Sequence, residues 1–309
     1  MPVSHSPARK WQGRSDPEDG PDAKRMHHLV SETGRRALLG FACEAGVIRN
    51  KGRTGASQGP TALRNALANL AAPARAEPFA DLGDVVVRGD DLEEGQAKLG
   101  GRVTDALATY ERLVVIGGGH ETAFGDYQGL ASFYPEAKIG IINLDAHFDL
   151  RLVGENGASS GTPFAQIREL SPDTFDYLCL GIAEEANTQA LFQRAQEWGV
   201  GTVSDHALIA SPQAGDQAIE GIVSRSDLIY LTIDIDLLPA YQAPGVSAPA
   251  ARGVPLATVE HIVTKILSMC EAHDCKIPLA DIVELSPPND RDGLTSSTAA
   301  LFTRRLLCS

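Results

Sequence analysis

Along the chain, short apolar runs closed by turn residues alternate with stretches whose apolar residues recur at helical spacing. The runs "RALLGFA" (36–42), "RLVVIGGGH" (112–120), "KIGIINLD" (138–145), "YLCLGIA" (177–183), "DLIYLTIDID" (227–236) and "PLADIVELSP" (278–287) have strand length and are rich in branched side chains. Between them, "TALRNALANLA" places Ala62, Leu63, Ala66, Leu67 and Leu70 on one helical face. "EEANTQALFQRAQEWG", stopped by Gly199, and "TVEHIVTKILSMCEAH" read as further helices. A strand buried on both faces is apolar almost throughout, so this pattern predicts an α/β chain: one three-layer αβα domain with a mostly parallel central sheet. Residues 1–30 are polar and rich in Pro, Gly and Asp and are expected to form an arm, leaving 31–309 as the single main domain. Residues 43–60, "CEAGVIRNKGRTGASQGP", read as a long loop.

Composition narrows the function classes. Lysine plus arginine number 27 against 40 acidic residues, a net charge of −13, which argues against a nucleic-acid surface. No apolar run reaches the roughly 20 residues that cross a bilayer. The opening "MPVSHSPARKWQGRSDPEDG" lacks the apolar core of a signal peptide, so a cytoplasmic protein without a membrane partner is expected. The five cysteines form no CxxC pair and are expected to be reduced, structural thiols.

In parallel sheets of this kind the binding site lies beyond the carboxyl ends of the strands. Three of the runs end in chemistry there: His120 after three glycines; Asp145, His147 and Asp149 at every second position; and Asp234 with Asp236. In extended backbone, residues two apart project from one side. Clustered carboxylates beside an imidazole are unfavourable alone and favourable around a divalent cation. A phosphate cradle at Gly117–Gly119 is the alternative for the glycines, but neither GxGxxG nor GK[ST] spacing is present. Two imidazoles and four carboxylates are too many for one tetrahedral ion and suit two ions sharing bridging carboxylates. Such a pair lowers the pKa of water toward neutrality. Oxygen-rich coordination favours manganese, with zinc, cobalt, nickel and iron also compatible. His27, His28, His206, His261 and His273 have no second ligand at useful spacing and read as structural or exposed.

The motifs "GGGHE", "DAHFD" and "DID" resemble those of the ureohydrolases, the arginase and agmatinase family, over nearly the whole chain from about residue 35. The resemblance implies an arginase-like fold, a homo-oligomer, a small-molecule substrate and two Mn²⁺ per chain. One ion would be held by His120, Asp145, Asp149 and Asp234, the other by His147, Asp145, Asp234 and Asp236, with Asp145 and Asp234 as bridges. "GFACEAGVIRNKGRTGASQGPTALRNALANLA", "SSGTPF" and "PGVSAPAARGVPL" are similar to the formimidoylglutamase branch, which splits N-formimidoyl-L-glutamate into L-glutamate and formamide. Ser160 stands where arginases and agmatinases carry a histidine, and serine cannot shuttle protons as imidazole does. By resemblance, Glu284 would hold the amidinium group and Asp149 would pass a proton to the departing nitrogen. Arg151, whose guanidinium fork matches a carboxylate, and Asn156 would meet the acidic tail, with Arg49 and Arg53 as further cationic contacts. A guanidine hydrolase acting on agmatine, guanidinobutyrate or arginine, and a non-catalytic metal-bound scaffold, remain as alternatives.

Overall fold

The computed structural model describes residues 2–309. Among them, nine strands form one sheet: β1 (Val3–Ser6), β2 (Arg36–Ala42), β3 (Phe79–Val87), β4 (Arg112–Ile116), β5 (Ile139–Leu144), β6 (Asp176–Ile182), β7 (Gly201–Ser204), β8 (Leu228–Asp234) and β9 (Lys276–Val283). Their order is β1-β3-β2-β4-β9-β8-β5-β6-β7, parallel throughout except where β1 runs antiparallel to β3. The helices are α1 (Ala45–Arg49), α2 (Gly59–Ala68), α3 (Leu92–Leu107), α4 (Thr122–Phe133), α5 (Pro163–Leu170), α6 (Gln189–Glu197), α7 (Asp205–Ala210), α8 (Asp216–Val223), α9 (Leu256–Ala272) and α10 (Leu294–Cys308).

The apolar strands divide their side chains between two cores. Val114 and Ile116 of β4, Ile142 and Leu144 of β5, and Ile229, Leu231 and Ile233 of β8 face a layer that includes α2, α8, α9 and α10. The intervening Leu113, Val115, Ile139, Ile141, Leu228 and Tyr230 face a layer that includes α3, α4, α5 and α6. Period-two geometry inside a continuously apolar run thus produces the three-layer αβα architecture expected of the sequence.

Two readings of local structure are corrected. The polar opening is not a loosely packed arm: Val3–Ser6 form an edge strand paired to Val87–Asp84, and Met26 and Leu29 are buried against α2 and α10. An edge strand needs only one apolar side chain facing inward, here Val3, so composition hides it. The segment 43–60 is not a plain loop either, since it contains the short helix α1 and a 3₁₀ turn at Ala56–Gln58. All five cysteines are free thiols. No helix among the described residues is long and apolar enough to cross a membrane.

The sheet order explains why distant motifs meet. β4, β9, β8 and β5 are consecutive neighbours at the centre of the sheet and all point the same way. The segments that follow them, beginning at Gly117, Glu284, Ile235 and Asp145, therefore emerge side by side on one edge.

Candidate metal centre

His120 is the fourth residue beyond β4, at the end of the glycine turn. That turn is a site of close backbone approach: a Cβ on Gly118 would stand 1.7 Å from the Cys43 carbonyl oxygen. Its backbone is committed internally, with Gly117 N–H donating to Ile282 O at 2.9 Å and Gly119 N–H to Cys43 O at 3.3 Å. The glycines thus serve packing, and the turn aims a buried His120 inward. Its Nδ1 lies 3.1 Å from an oxygen of each of Asp145, Asp149 and Asp234.

The extended-strand argument for Asp145, His147 and Asp149 is replaced by a different geometry. β5 ends at Leu144, and the three residues lie on a bent loop in which Asp149 takes a left-handed backbone (φ 47°). Asn187 clamps this loop. Its Oδ1 accepts the Phe148 N–H at 3.0 Å, and its Nδ2 donates to Ala146 O at 2.8 Å and Ala183 O at 2.9 Å. Asp145 Oδ1 accepts the His147 N–H at 2.7 Å, and Asn143 Nδ2 donates to Asp145 Oδ2 at 3.0 Å. Asp234 and Asp236 likewise do not simply face one way. Asp234 caps a 3₁₀ turn (Ile235–Leu237) in which Asp236 is the middle residue, and the Asp236 N–H donates to Asp234 Oδ1 at 2.8 Å.

Ligand atoms converge in two groups, each with all members within 4.8 Å of one another: His120, Asp145, Asp149 and Asp234; and Asp145, His147 and Asp236. Asp145 belongs to both. Asp234, expected as a second bridge, stands in the first group alone. Burial opposes charge on His120, but the three carboxylates crowded around it outweigh burial and raise its pKa well above the ordinary value. Burial, then Asp236 and Asp145, push Asp234 well up. Buried carboxylates this close need compensating positive charge, and the buried His120 Nδ1 and Asp236 Oδ1 make no hydrogen bond among the described residues. The donor set therefore fits divalent cations on its own chemistry.

Glu284 closes the fourth side. It follows β9 in a left-handed conformation (φ 66°), its N–H donating to Gly118 O at 2.8 Å. Its Oε1 accepts the His120 N–H at 2.8 Å and its Oε2 the Ser247 hydroxyl at 2.6 Å. Burial, then the neighbouring Glu121 carboxylate, push its pKa up to about 8. Glu121, also buried, accepts the Gly46 N–H at 2.9 Å and so ties α1 to the turn bearing His120.

The expected substrate contacts divide. Arg151 is exposed, its N–H donates to Gly161 O at 2.8 Å, and among the described residues no carboxylate lies within ion-pair distance of its guanidinium. Beside it, Asn50 Nδ2 donates to the Oγ of buried Ser160 at 3.1 Å. Asn156 instead lines a separate surface groove with Arg88 and Asp90. Arg49 is committed to Asp90 and Glu93, each at 2.6 Å, and Arg53 to the carbonyls of Pro244, Val246 and Ser247. Both are clamps. His206 sits in the first turn of α7, capped by Ser204. A cavity of roughly 330 Å³ opens beside His147, lined by Gly181, Asp205, Leu237 and the 248–253 segment.

Asn143, Asn187, Asn50 and Ser247 were not found by reading motifs. The one available signal is a lone polar residue inside an apolar strand, as with Asn143 in "IINLD".

A parallel αβα sheet with this histidine and carboxylate cluster at its central strand ends is the framework of a metal-dependent hydrolase. The profile described as the arginase family matches residues 35–308. Formimidoylglutamase of Aeromonas hydrophila is 46% identical over 309 residues, covering 96% of each chain, and that of Chromobacterium violaceum is 45% identical over 302 residues, covering 94% of each. Among solved structures, Trypanosoma cruzi formiminoglutamase with Mn²⁺ shares the fold at a TM-score of 0.81 and 24% identity, over 93% of this chain and 98% of that one. Formimidoylglutamase from Bacillus subtilis does so at 0.81 and 22%, over 93% and 92%. The chain belongs to the arginase family.

Proposed function

We propose that the protein hydrolyses N-formimidoyl-L-glutamate to L-glutamate and formamide with two Mn²⁺ bound. The observation that carries this reading is the two-group cluster with Glu284 at its flank, in a chain 46% identical along its length to a protein named formimidoylglutamase. One ion would be held by His120, Asp145, Asp149 and Asp234, the other by Asp145, His147 and Asp236, with Asp234 as a further bridge. When bound, the pair supplies Lewis-acid chemistry, lowering the pKa of water and stabilising negative charge that develops on the substrate.

The chain's own residues do the rest. The Glu284 carboxylate pairs with the amidinium and turns the formimidoyl carbon toward the cluster. Water adds to that carbon, and the bond from it to the glutamate nitrogen breaks. Asp149, the least buried member of the first group, carries the proton given up by water to the departing nitrogen. Arg151, with Asn50 and Ser160 beside it, receives the acidic tail. Serine in place of a histidine leaves a hydroxyl donor there that suits an anion. Asn156, on its separate groove, takes no part.

Incubating the manganese-loaded protein with N-formimidoyl-L-glutamate, arginine and agmatine in parallel tests this reading. Formamide and glutamate are the expected products. Urea from either guanidine would replace the substrate assignment, and two bound ions without turnover of any of the three would leave a scaffold. Within the same assay, Arg151→Ala should raise KM for formimidoylglutamate about 10- to 100-fold, the worth of a charge-assisted hydrogen bond. kcat should change little, and hydrolysis of an N-alkylformamidine without carboxylates should be unaffected. Equal losses on both substrates would remove Arg151 from the tail site.

A further inference from the structure

Ser247, whose hydroxyl donates to Glu284 Oε2 at 2.6 Å, stands in a segment with little backbone support of its own. Gly245 is tied on both sides: its N–H donates to Thr295 Oγ1 at 2.8 Å, and its carbonyl accepts the Ser286 N–H at 2.7 Å. The next tie is at Ala250, whose carbonyl accepts the Ala240 N–H at 2.8 Å. Among the described residues, the backbone of Val246, Ser247, Ala248 and Pro249 makes no hydrogen bond to another backbone group. One side chain fills that gap. Arg53 Nη2 donates to Val246 O at 2.5 Å and to Pro244 O at 3.2 Å, and its Nε donates to Ser247 O at 3.3 Å.

The carbonyls of Val246 and Ser247 belong to the two peptide units that flank the Ser247 Cα. A single planar guanidinium holding both therefore fixes φ and ψ at Ser247, and the direction of its Cα–Cβ bond follows. Val246 is buried and anchors the segment to the core, but a packed isopropyl group does not by itself orient the peptide units beyond it. Arg53 is held in turn by its neighbours. A Cβ on Gly52 would stand 3.3 Å from Ser247 Cβ, and the Thr54 carbonyl accepts from Ser286 Oγ at 3.0 Å and Asn289 Nδ2 at 2.9 Å. Among the described residues no carboxylate lies at ion-pair distance from Arg53, so its protein partners are the three carbonyls. At the far end of the chain of contacts, the Glu284 carboxyl is held by the His120 N–H on one oxygen and by Ser247 on the other. With the first bond alone it could pivot; the second fixes its plane.

We propose that Arg53 is a positioning residue for amidinium recognition: by fixing both peptide units around Ser247, it directs that hydroxyl onto Glu284 and holds the carboxyl in one orientation beside the cluster. The role rests on the reading of Glu284 as the amidinium partner.

The test uses the metal-loaded full chain carrying Arg53→Met, Arg53→Lys, Ser247→Ala, or Arg53→Met with Ser247→Ala. Amide hydrogen exchange without substrate reads the loop. The Gly245 N–H shares a peptide unit with the Pro244 carbonyl that Arg53 holds. It should exchange about 10- to 100-fold faster in both Arg53 variants, the worth of a charge-assisted hydrogen bond, and at the wild-type rate in Ser247→Ala. Steady-state rates on whichever of formimidoylglutamate, arginine and agmatine is turned over read the consequence. At unchanged metal content, kcat/KM should fall about 10- to 100-fold in each single variant, as expected when a group that orients substrate is slightly misplaced. The paired variant should lose no more than the worse single one, because both act through one contact. An N-alkylformamidine without carboxylates should lose in the same proportion, since the defect lies at the amidinium.

Wild-type exchange at Gly245 in Arg53→Met, losses that multiply in the paired variant, or full activity in Arg53→Lys would overturn the proposal. A loss confined to substrates bearing carboxylates would overturn it too, making Arg53 an electrostatic guide for the tail. Turnover of none of the three compounds would remove the amidinium role together with the functional reading, while the exchange rates would still show whether Arg53 holds the loop.

Discussion

Asp145→Asn should abolish turnover, lowering kcat/KM by at least ~10³-fold, and should leave the protein unable to hold two divalent ions. Asp145 is the residue common to both ligand groups. One of its oxygens lies 3.1 Å from His120 Nδ1 and the other 3.4 Å from His147 Nδ1. Asparagine keeps the shape and an acceptor for the His147 N–H, so the loop geometry survives while the shared charge does not. Stability should fall as well. Without metal, the variant should be less stable than wild type at neutral pH, because burial opposes the Asp145 charge but His120 and His147 outweigh it and hold its carboxyl below the ordinary range. With Mn²⁺ added, wild type should gain thermal stability by mass action and the variant should gain little. Asp236→Asn touches only the second group and should leave the first ion bound. Metal analysis and paired melting curves read all of this. A variant retaining two ions and near-normal turnover would dismantle the shared-carboxylate centre.

What the sequence made legible, and what it did not, follows from where the stabilising partner lies. β4, β5, β8 and β9 stand out because a central parallel strand is apolar on both faces and needs nothing from elsewhere to be recognised. β3 escapes because Asp81 and Asp84 interrupt "FADLGDVVV", and both are paired to Arg64 of α2, at 2.9 Å and 2.6 Å. A local window shows two acids in an apolar stretch; the cation that makes them acceptable is 17 residues or more away. β1 and β7 are four-residue edge strands with little apolar pattern to show.

At the site the distinction is sharper. The residue types and strand ends predicted that six side chains would meet, but strand alternation was the wrong reason for it. Asp149 reaches His120 from a left-handed backbone, and Asp236 lies inside a 3₁₀ turn that Asp234 caps. Loop shapes of this sort are set by side chains such as Asn187, 38 positions beyond Asp149, whose three hydrogen bonds no motif announces. The arginines divided for a similar reason. Arg49, Arg53 and Arg151 have equal charge in the sequence, and only tertiary contacts separate the two clamps from the free guanidinium.

Glu284→Gln separates substrate recognition from support of the metal centre. The carboxyl group does two things: it accepts from the His120 N–H and from Ser247, and, ionised once a cation stands beside it, it presents a negative charge at the flank of the cluster. Glutamine preserves the first function, since its Oε1 still accepts from His120 and its amide can donate to the Ser247 oxygen. It removes the second. The expected result is a roughly 10²- to 10³-fold fall in kcat/KM for formimidoylglutamate, corresponding to the ~3–5 kcal/mol at stake when one partner of a buried ion pair is deleted. Two ions should remain bound and the melting temperature should hold. Glu284→Ala should do more, because the buried His120 N–H is left without an acceptor, at a cost of about 1–3 kcal/mol of stability. Glycine at this position would offset part of that loss, as a backbone at φ 66° suits it better than alanine. If Glu284→Gln lost Mn²⁺ in step with activity, the residue would be a brace for His120 and the amidinium would have to be held elsewhere. If it kept both, no charge pairing with the substrate takes place at this position.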